Sequence, residues 1–446
     1  MVDMSSKSRR QFILATSVAS TAALAGCSGN NDESGSSSAD GETMSSEFEF
    51  MHQETSDARI NVIGNLAESF VSQVDTEVIN QRPVDEADLP AEISSDLAAG
   101  TLPAGAELPL RALHDASDTL RPESATKVIN AIGEDNFQDN LLELVSTPDG
   151  GYYSVPIYAW AQLIQYRPSK FEEMGLPLPD SWENILEAAK ALHDPDNNEF
   201  GMIVGSKRDQ FTLQCFSAFA LANEARVFNA DGEIIFDSDE MIETLEYYAE
   251  LNQYTPTGAQ NYDPINPLWQ NGQLHMASNS TFSLSDVLDL DVSWVGSISK
   301  EVEATFGECM STATFDIDDQ AKISANEEWQ KFLRGGDDYA LSNYTDWCHM
   351  EPGGMQPVIK GFAERDDYQE NEIVQAWSDE LVNEQLPSAI SSIDRFGFVD
   401  GKVFPAIGEI TGSFLITDAI RDVIDGADAR MTAENYADEM RGMIDN

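Results

Sequence analysis

Tyr158, Trp160 and Gln162 alternate along an apolar stretch, and on a strand that spacing puts all three side chains on one face. Flat rings and amide groups on one face are suited to holding a hydroxylated solute, since rings cover C–H patches and amides bond hydroxyls. Groups for bond-breaking chemistry are harder to find. The 446 residues contain no Gly-x-Ser-x-Gly elbow, no His-Glu-x-x-His pair and no Walker loop. Asp194, Asp196 and Asn198 imitate the start of an EF-hand loop, yet Glu199 stands where that loop needs glycine and Gly205 where it needs a bidentate glutamate. The five His are dispersed, and Cys215, Cys309 and Cys348 match no zinc spacing, so neither a metal nor another cofactor is expected. Buried free thiols are expected at the three cysteines, with a Cys309–Cys348 disulfide as the alternative. Carboxylates are so numerous that counting alone does not exclude a glycosidase pair. Asn279-Ser280-Thr281 and Asn343-Tyr344-Thr345 are glycosylation sequons, which have meaning only outside the cell.

The charge balance narrows the classes further. Asp and Glu number 79 against 25 Lys and Arg, a net charge of −54. No basic face for a nucleic acid can be assembled, and attraction to anionic membrane surfaces is excluded as well. With 41% hydrophobic residues the chain is nonetheless no disordered acidic tail. Such a charge repels itself in ordinary saline but is screened within about 3 Å at molar salt. A salt-adapted protein is the expected reading. A calcium array is the alternative, but ligand-spaced acid clusters are lacking.

The N-terminus reads as an address followed by an anchor. Ser8-Arg9-Arg10-Gln11-Phe12-Ile13-Leu14 matches a twin-arginine export signal, and Leu24-Ala25-Gly26-Cys27 a lipobox whose thiol accepts lipid. The apolar stretch between them is too short and too rich in Ser, Thr and Ala to be a comfortable membrane span. Residues 1–26 are therefore expected to be removed and 27–46 to form a flexible tether from lipidated Cys27.

The elements that must position the aromatic and amide groups alternate in type. Strands are expected over 47–52, 76–80, 152–156 and 161–166, and helices over 60–74, 89–99 and 182–192, with more helix within 128–145. Segments 202–204, 211–222 and 241–252 continue the alternation. A strand near 307–312 precedes a helix at 327–333, and helices dominate from 371 onward. Alternating β and α elements over about 400 residues imply an α/β architecture.

Val155-Pro156, Tyr166, Phe171, Gly175-Leu176, Pro179, Trp182, Asp194-Pro195-Asp196 and Gly201 follow one another in a recognisable order. With Asn271-Gly272-Gln273-Leu274-His275-Met276, Trp329 to Leu333 and Gly353-Gly354-Met355-Gln356-Pro357-Val358, the chain resembles the family 1 extracellular solute-binding proteins of ABC importers, the group containing maltose-binding protein. The likeness runs from about Glu47 to the end. Arg167 replaces the family's usual Asn, and Ala104 its usual Asp, which leaves the alignment of 105–122 open.

The resemblance implies a two-lobe α/β fold with a hinge and an interlobe ligand cleft. Lobe 1 would comprise 47–156 and 305–352, lobe 2 would comprise 157–304 and 353–446. It also implies a set of ligand contacts: Trp160 and Tyr158 at the crossing, Arg208, Asp209 and Gln210 after a strand, and Phe282 as a stacking ring. His52 and Gln53 would end the first strand, with Gly354, Met355 and Gln356, and then Glu409 and Phe414, closing the site. The implied function is a lipid-anchored receptor, without catalysis, that hands a carbohydrate-like solute to a permease driven by an ATPase. A monomer on the outer face of the membrane is expected. A carbohydrate-active hydrolase and a surface adhesion or sensing module are the alternatives.

Overall fold

The computed structural model describes residues 43–336, 339–350 and 353–444. The twin-arginine segment, Cys27 and nearly all of the expected tether lie outside the described residues.

The first lobe opens with β1 (Glu47–His52), α1 (Asp57–Val71), β2 (Val78–Pro83), α2 (Leu89–Ala99) and β3 (Gly105–Leu108). β1 pairs in parallel with both β2 and β3, as strand–helix–strand crossovers require. α1 starts three residues before its apolar period because Ser56 caps it, accepting from the Arg59 amide. α2 stops at Gly100, whose φ of 69° is left-handed. Helices α3 (Leu110–Asp115), α4 (Pro122–Ile132) and α5 (Asp139–Leu144) complete this part.

β4 (Val155–Tyr166) then leaves the first lobe and enters the second. Two strands were expected over this stretch, but no turn residue interrupts it, and Tyr152 makes only an isolated bridge to Ser146. The second lobe adds α6 (Pro168–Met174), α7 (Trp182–Leu192), α8 (Gln210–Ala222), α9 (Asp239–Asn252), α10 (Ile265–Gln270), β5 (Met276–Ser280), β6 (Ser293–Val295) and β7 (Ile298–Ser299). α7 has the expected bounds, with Ser181 accepting from the Asn184 amide. α8 is apolar nearly all round and is buried accordingly, from Phe211 to Ala222.

β8 (Glu303–Thr314) carries the chain back, followed by α11 (Gln320–Leu333) and α12 (Ser342–Cys348). One sheet runs in the order β2-β1-β3-β8-β4-β5, with β6 also on β4 and β7 and β9 (Ile393–Asp394) on β8. β4 and β8 are antiparallel from Val155 opposite Thr312 to Ala161 opposite Gly307, with a bulge between Pro156 and Tyr158. One end of this ribbon serves β3 in lobe 1, the other β5 and β6 in lobe 2. A third crossing lies alongside, where Gln356 exchanges backbone hydrogen bonds of 2.9 and 2.7 Å with Ala159. The chain ends in a hairpin of β10 (Phe398–Val399) and β11 (Lys402–Val403) and in helices Ala406–Gly412, Leu415–Ile424 and Ala429–Ile444. This is a two-lobe α/β fold joined by strands.

Cys215, Cys309 and Cys348 are buried and free. Burial pushes the Cys215 thiol up to about 11. The sequon residues Asn279 and Asn343 are also buried, 8% and 9% exposed, so the folded chain offers neither to a glycosyltransferase.

Candidate functional site

Between the lobes lies a cavity of about 950 Å³, toward the top of the ~300–1,000 Å³ range of ligand pockets. β4 forms part of its wall. Because side chains alternate along a strand, Tyr158, Trp160 and Gln162 all face it. The Trp160 ring stands between Phe282, 6.2 Å away by centroids, and Phe306, 5.9 Å away, both tilted. These three make a continuous aromatic row on the second lobe's side. Gly354 fixes one end of it: a Cβ there would come within 2.7 Å of both the backbone and the ring of Phe282. Phe211 and Tyr262, 6.0 Å apart and edge to face, form a second aromatic pair, with Tyr262 exposed at the rim.

Polar groups frame the row. The Tyr158 hydroxyl donates to Glu54 at 3.1 Å and accepts from the Gln53 amide at 3.2 Å. Burial, reinforced by the Glu54 charge, drives the Tyr158 hydroxyl well above its ordinary pKa, so it stays a proton donor. Glu54 also pairs with Arg59, whose guanidinium lies 5.7 Å from the Phe282 ring centre across the cleft. Toward the other end, Arg395 bonds Glu308 at 2.5 Å and the Gly307 carbonyl at 2.9 Å, and covers Phe306 at 4.5 Å. The second oxygen of Glu308 accepts from the Leu110 amide at 2.9 Å, so this one carboxylate ties α3 of the first lobe to Arg395 of the second. Glu86 is raised by burial and by the nearby Glu308 charge. His114, lowered to about 4 by burial, bonds the Leu144 carbonyl and meets the Phe398 ring at 5.5 Å.

Glu107 lies on β3, fully buried. Burial, and then the Glu54 charge, holds its carboxyl well above the usual range. An unfolded glutamate ionises near about 4.3, so above that pH the unfolded chain releases a proton that the folded chain retains. Stability must therefore fall as pH rises from there toward the folded-state pKa. Glu107→Gln removes the cost, and its melting temperature is expected to gain on the parent's as pH rises from about 4.5 toward the folded-state pKa. Melts of both proteins across that range would test this; a constant offset would mean that Glu107 ionises as readily in the fold as outside it.

Of the residues singled out in the sequence, Gln53, Tyr158, Trp160, Gln210 and Phe282 come together on the cavity wall. The others stand apart from it for identifiable reasons. Arg208 bonds Asp418 at 2.7 Å and the Ser413 carbonyl, with its guanidinium over Phe414 at 4.6 Å. Asp209 caps α8 through the Thr212 amide. His52 is buried beside the Gln81 amide and lowered to about 4 by burial. Met355 and Gln356 are buried in the third crossing, and Gly354 acts on the wall only through Phe282. Phe414 links two helices at a φ of 66°, and Glu409 sits between the wall residues Gly408 and Thr411 without joining them. Sequence reasoning missed Arg59, Glu308, Phe306 and the α3 face carrying Arg111 and His114. Only for α3 was there a hint, the unaligned stretch 105–122.

A strand-hinged pair of lobes thus encloses an aromatic, polar-rimmed cavity, the arrangement of a fold that closes over a small ligand. Residues 83–301 match the model of the bacterial extracellular solute-binding protein family. The chain is 29% identical over 444 residues to the Escherichia coli K12 protein YcjN, which bears the name of an ABC transporter periplasmic-binding protein. That alignment covers 98% of this chain and 99% of YcjN. Among solved structures it is similar to maltose-bound MalE3 of T. maritima, with a TM-score of 0.69 and 16% identity over 89% of this chain and 99% of that one. It also resembles a ribitol-bound solute-binding protein of Agrobacterium radiobacter K84, with a TM-score of 0.67 and 16% identity over 89% and 98%. The likeness to the bacterial extracellular solute-binding protein family is carried by residues 83–301, and the alignment with YcjN extends over nearly the whole chain.

Proposed function

We propose that this protein is a lipid-anchored receptor, exported by the twin-arginine route and held at Cys27, that captures a carbohydrate-like solute and passes it to its permease. The observation that carries the solute class is the aromatic row of Trp160, Phe282 and Phe306 in a cavity rimmed by amides and carboxylates. Rings of this kind take the C–H faces of sugars and polyols, and the rim takes their hydroxyls. The ligands named for the similar structures, maltose and ribitol, are of that kind. Trp160, Phe282, Tyr158, Gln53 and Gln210 are the proposed contacts, together with Phe306. Lobe boundaries are placed within β4, within β8 and at the Gln356 crossing. Capture follows from bending these crossings so that the lobes close over the solute. The net charge of −54 fits a working medium of molar salt.

Thermal melts in molar KCl with a panel of sugars and polyols test this reading. A true ligand at a hundredfold excess over Kd should stabilise the protein by about 2.7 kcal/mol, raising the melting temperature by a few degrees. The reading fails if no member of the panel shifts the melt, or if the pure protein breaks down a bound oligosaccharide.

A further inference from the structure

Resting on that reading, the pairing of charges in the cavity wall points to the charge of the solute. Three guanidiniums reach the wall, and each faces a carboxylate: Arg59 with Glu54, Arg395 with Glu308, and Arg111 with Asp115 at 3.8 Å. Two further guanidiniums, Arg208 and Arg365, bond Asp418 and Asp367 away from the cavity. A phosphate or carboxylate on the solute would therefore have to break an existing pair. The acids are not matched in the same way. Asp85 and Asp286 also line the cavity, and neither has a cation within ion-pair distance among the described residues; Asp286 accepts from Asn266 at 2.8 Å, whereas Glu86, raised by burial, already interacts with Arg395 and Arg111 at longer range.

The aromatic row supplies the second observation. Phe282 and Phe306 each carry a guanidinium over the ring, at 5.7 and 4.5 Å. Trp160, between them and half-buried, has none among the described residues, although indole is the best cation acceptor of the aromatic side chains. The flanking guanidiniums are neutralised by Glu54 and Glu308, so they leave little repulsion for a further cation. The wall holds acids in the same proportion as the chain as a whole, so the pairing carries the argument rather than the number of acids.

We propose that the cavity takes a solute bearing a protonated amine, an amino sugar or amino polyol. The Trp160 face would receive its ammonium, with the charge balanced by the unmatched carboxylates of the same cavity. Matched pairs of probes test this on the purified protein in molar KCl at pH 6, where the amines are charged: glucosamine against glucose, N-methylglucamine against sorbitol, and deacetylated chitobiose against cellobiose. In any pair that shifts the melt, the amine is expected to bind about tenfold tighter than its neutral partner by calorimetry. Asp286→Asn should narrow that ratio at least about threefold. Neutral members binding as tightly as the amines, or an unchanged ratio in Asp286→Asn, would overturn the amine proposal while leaving solute capture intact. No shift from any of the six would overturn both.

Discussion

Trp160→Ala is expected to weaken binding of the captured solute at least about a hundredfold, the largest loss from any single change in the cavity wall. The ring is the middle member of a row of three, in van der Waals range of Phe282 on one side and Phe306 on the other. Truncation removes the stacking face and also the spacer that keeps its neighbours in place. Buried central aromatics commonly cost more than about 2 kcal/mol in binding when cut to alanine, and 2.7 kcal/mol corresponds to a hundredfold. Trp160→Phe should keep a flat face and lose closer to tenfold. Calorimetry of both variants against the best ligand of the panel measures this, with melts to show that the fold persists. An affinity in Trp160→Ala within threefold of the parent would remove the row from the binding site.

Arg334→Met is expected to destabilise the fold by about 3–5 kcal/mol, although the residue touches neither ligand space nor surface. Arg334 follows α11 and is 1% exposed. Its guanidinium bonds the carbonyls of Pro156 at 2.6 Å, Val155 at 2.7 Å and Gln330 at 2.9 Å, and the Thr312 hydroxyl at 2.7 Å. The Pro156 carbonyl opens the bulge where β4 and β8 fall out of register and the Val155 carbonyl lies just before it, so the arginine supplies donors where strand pairing is interrupted. Burial lowers its pKa to about 9, still charged at neutral pH. Methionine has the reach but no donors, and two buried carbonyls would lose their partners. Lysine would not restore the fork of bonds that guanidinium makes. Urea unfolding in molar KCl gives the number, and a change below about 1 kcal/mol would mean that water or rearrangement satisfies the bulge. Since this bulge lies in the hinge ribbon, weaker solute binding should accompany the lost stability.

Local signals in the sequence suffice to bound an element wherever a cap or a period stands alone. β1, α2 and α7 have the bounds that their alternation, Gly100 and Ser181 dictate. β4 reads as two strands because its middle, Ile157 to Trp160, is apolar without a break, and such a run carries no period. The two-lobe fold was legible through the ordered resemblance from Val155 to Gly201. The site was legible in part. Trp160 and Phe282 fell on the wall because one lies on a strand face and the other just beyond a strand end. Arg208 and Asp209 did not, because a loop's sequence does not reveal that its charges are taken up by a helix cap and by Asp418, 210 residues away in the chain. Arg59, Glu308 and Arg395 converge from three distant segments, and only the folded crossings bring them together.

β3 waits a long time for its neighbour. Between Leu108 and Glu303 the ribosome must add nearly two hundred residues, about 10–40 s of synthesis at ~5–20 residues per second. Throughout that interval the nascent first lobe holds an open sheet edge, with Arg334 and α11 still unmade. The second lobe is equally late, for β9 and the last two helices arrive only with the final fifty or so residues. Neither half can reach its native state vectorially, as the chain emerges. Maturation must follow release of the complete polypeptide, so a translocase that threads unfolded cargo and one that accepts finished protein would place that maturation on opposite sides of the membrane.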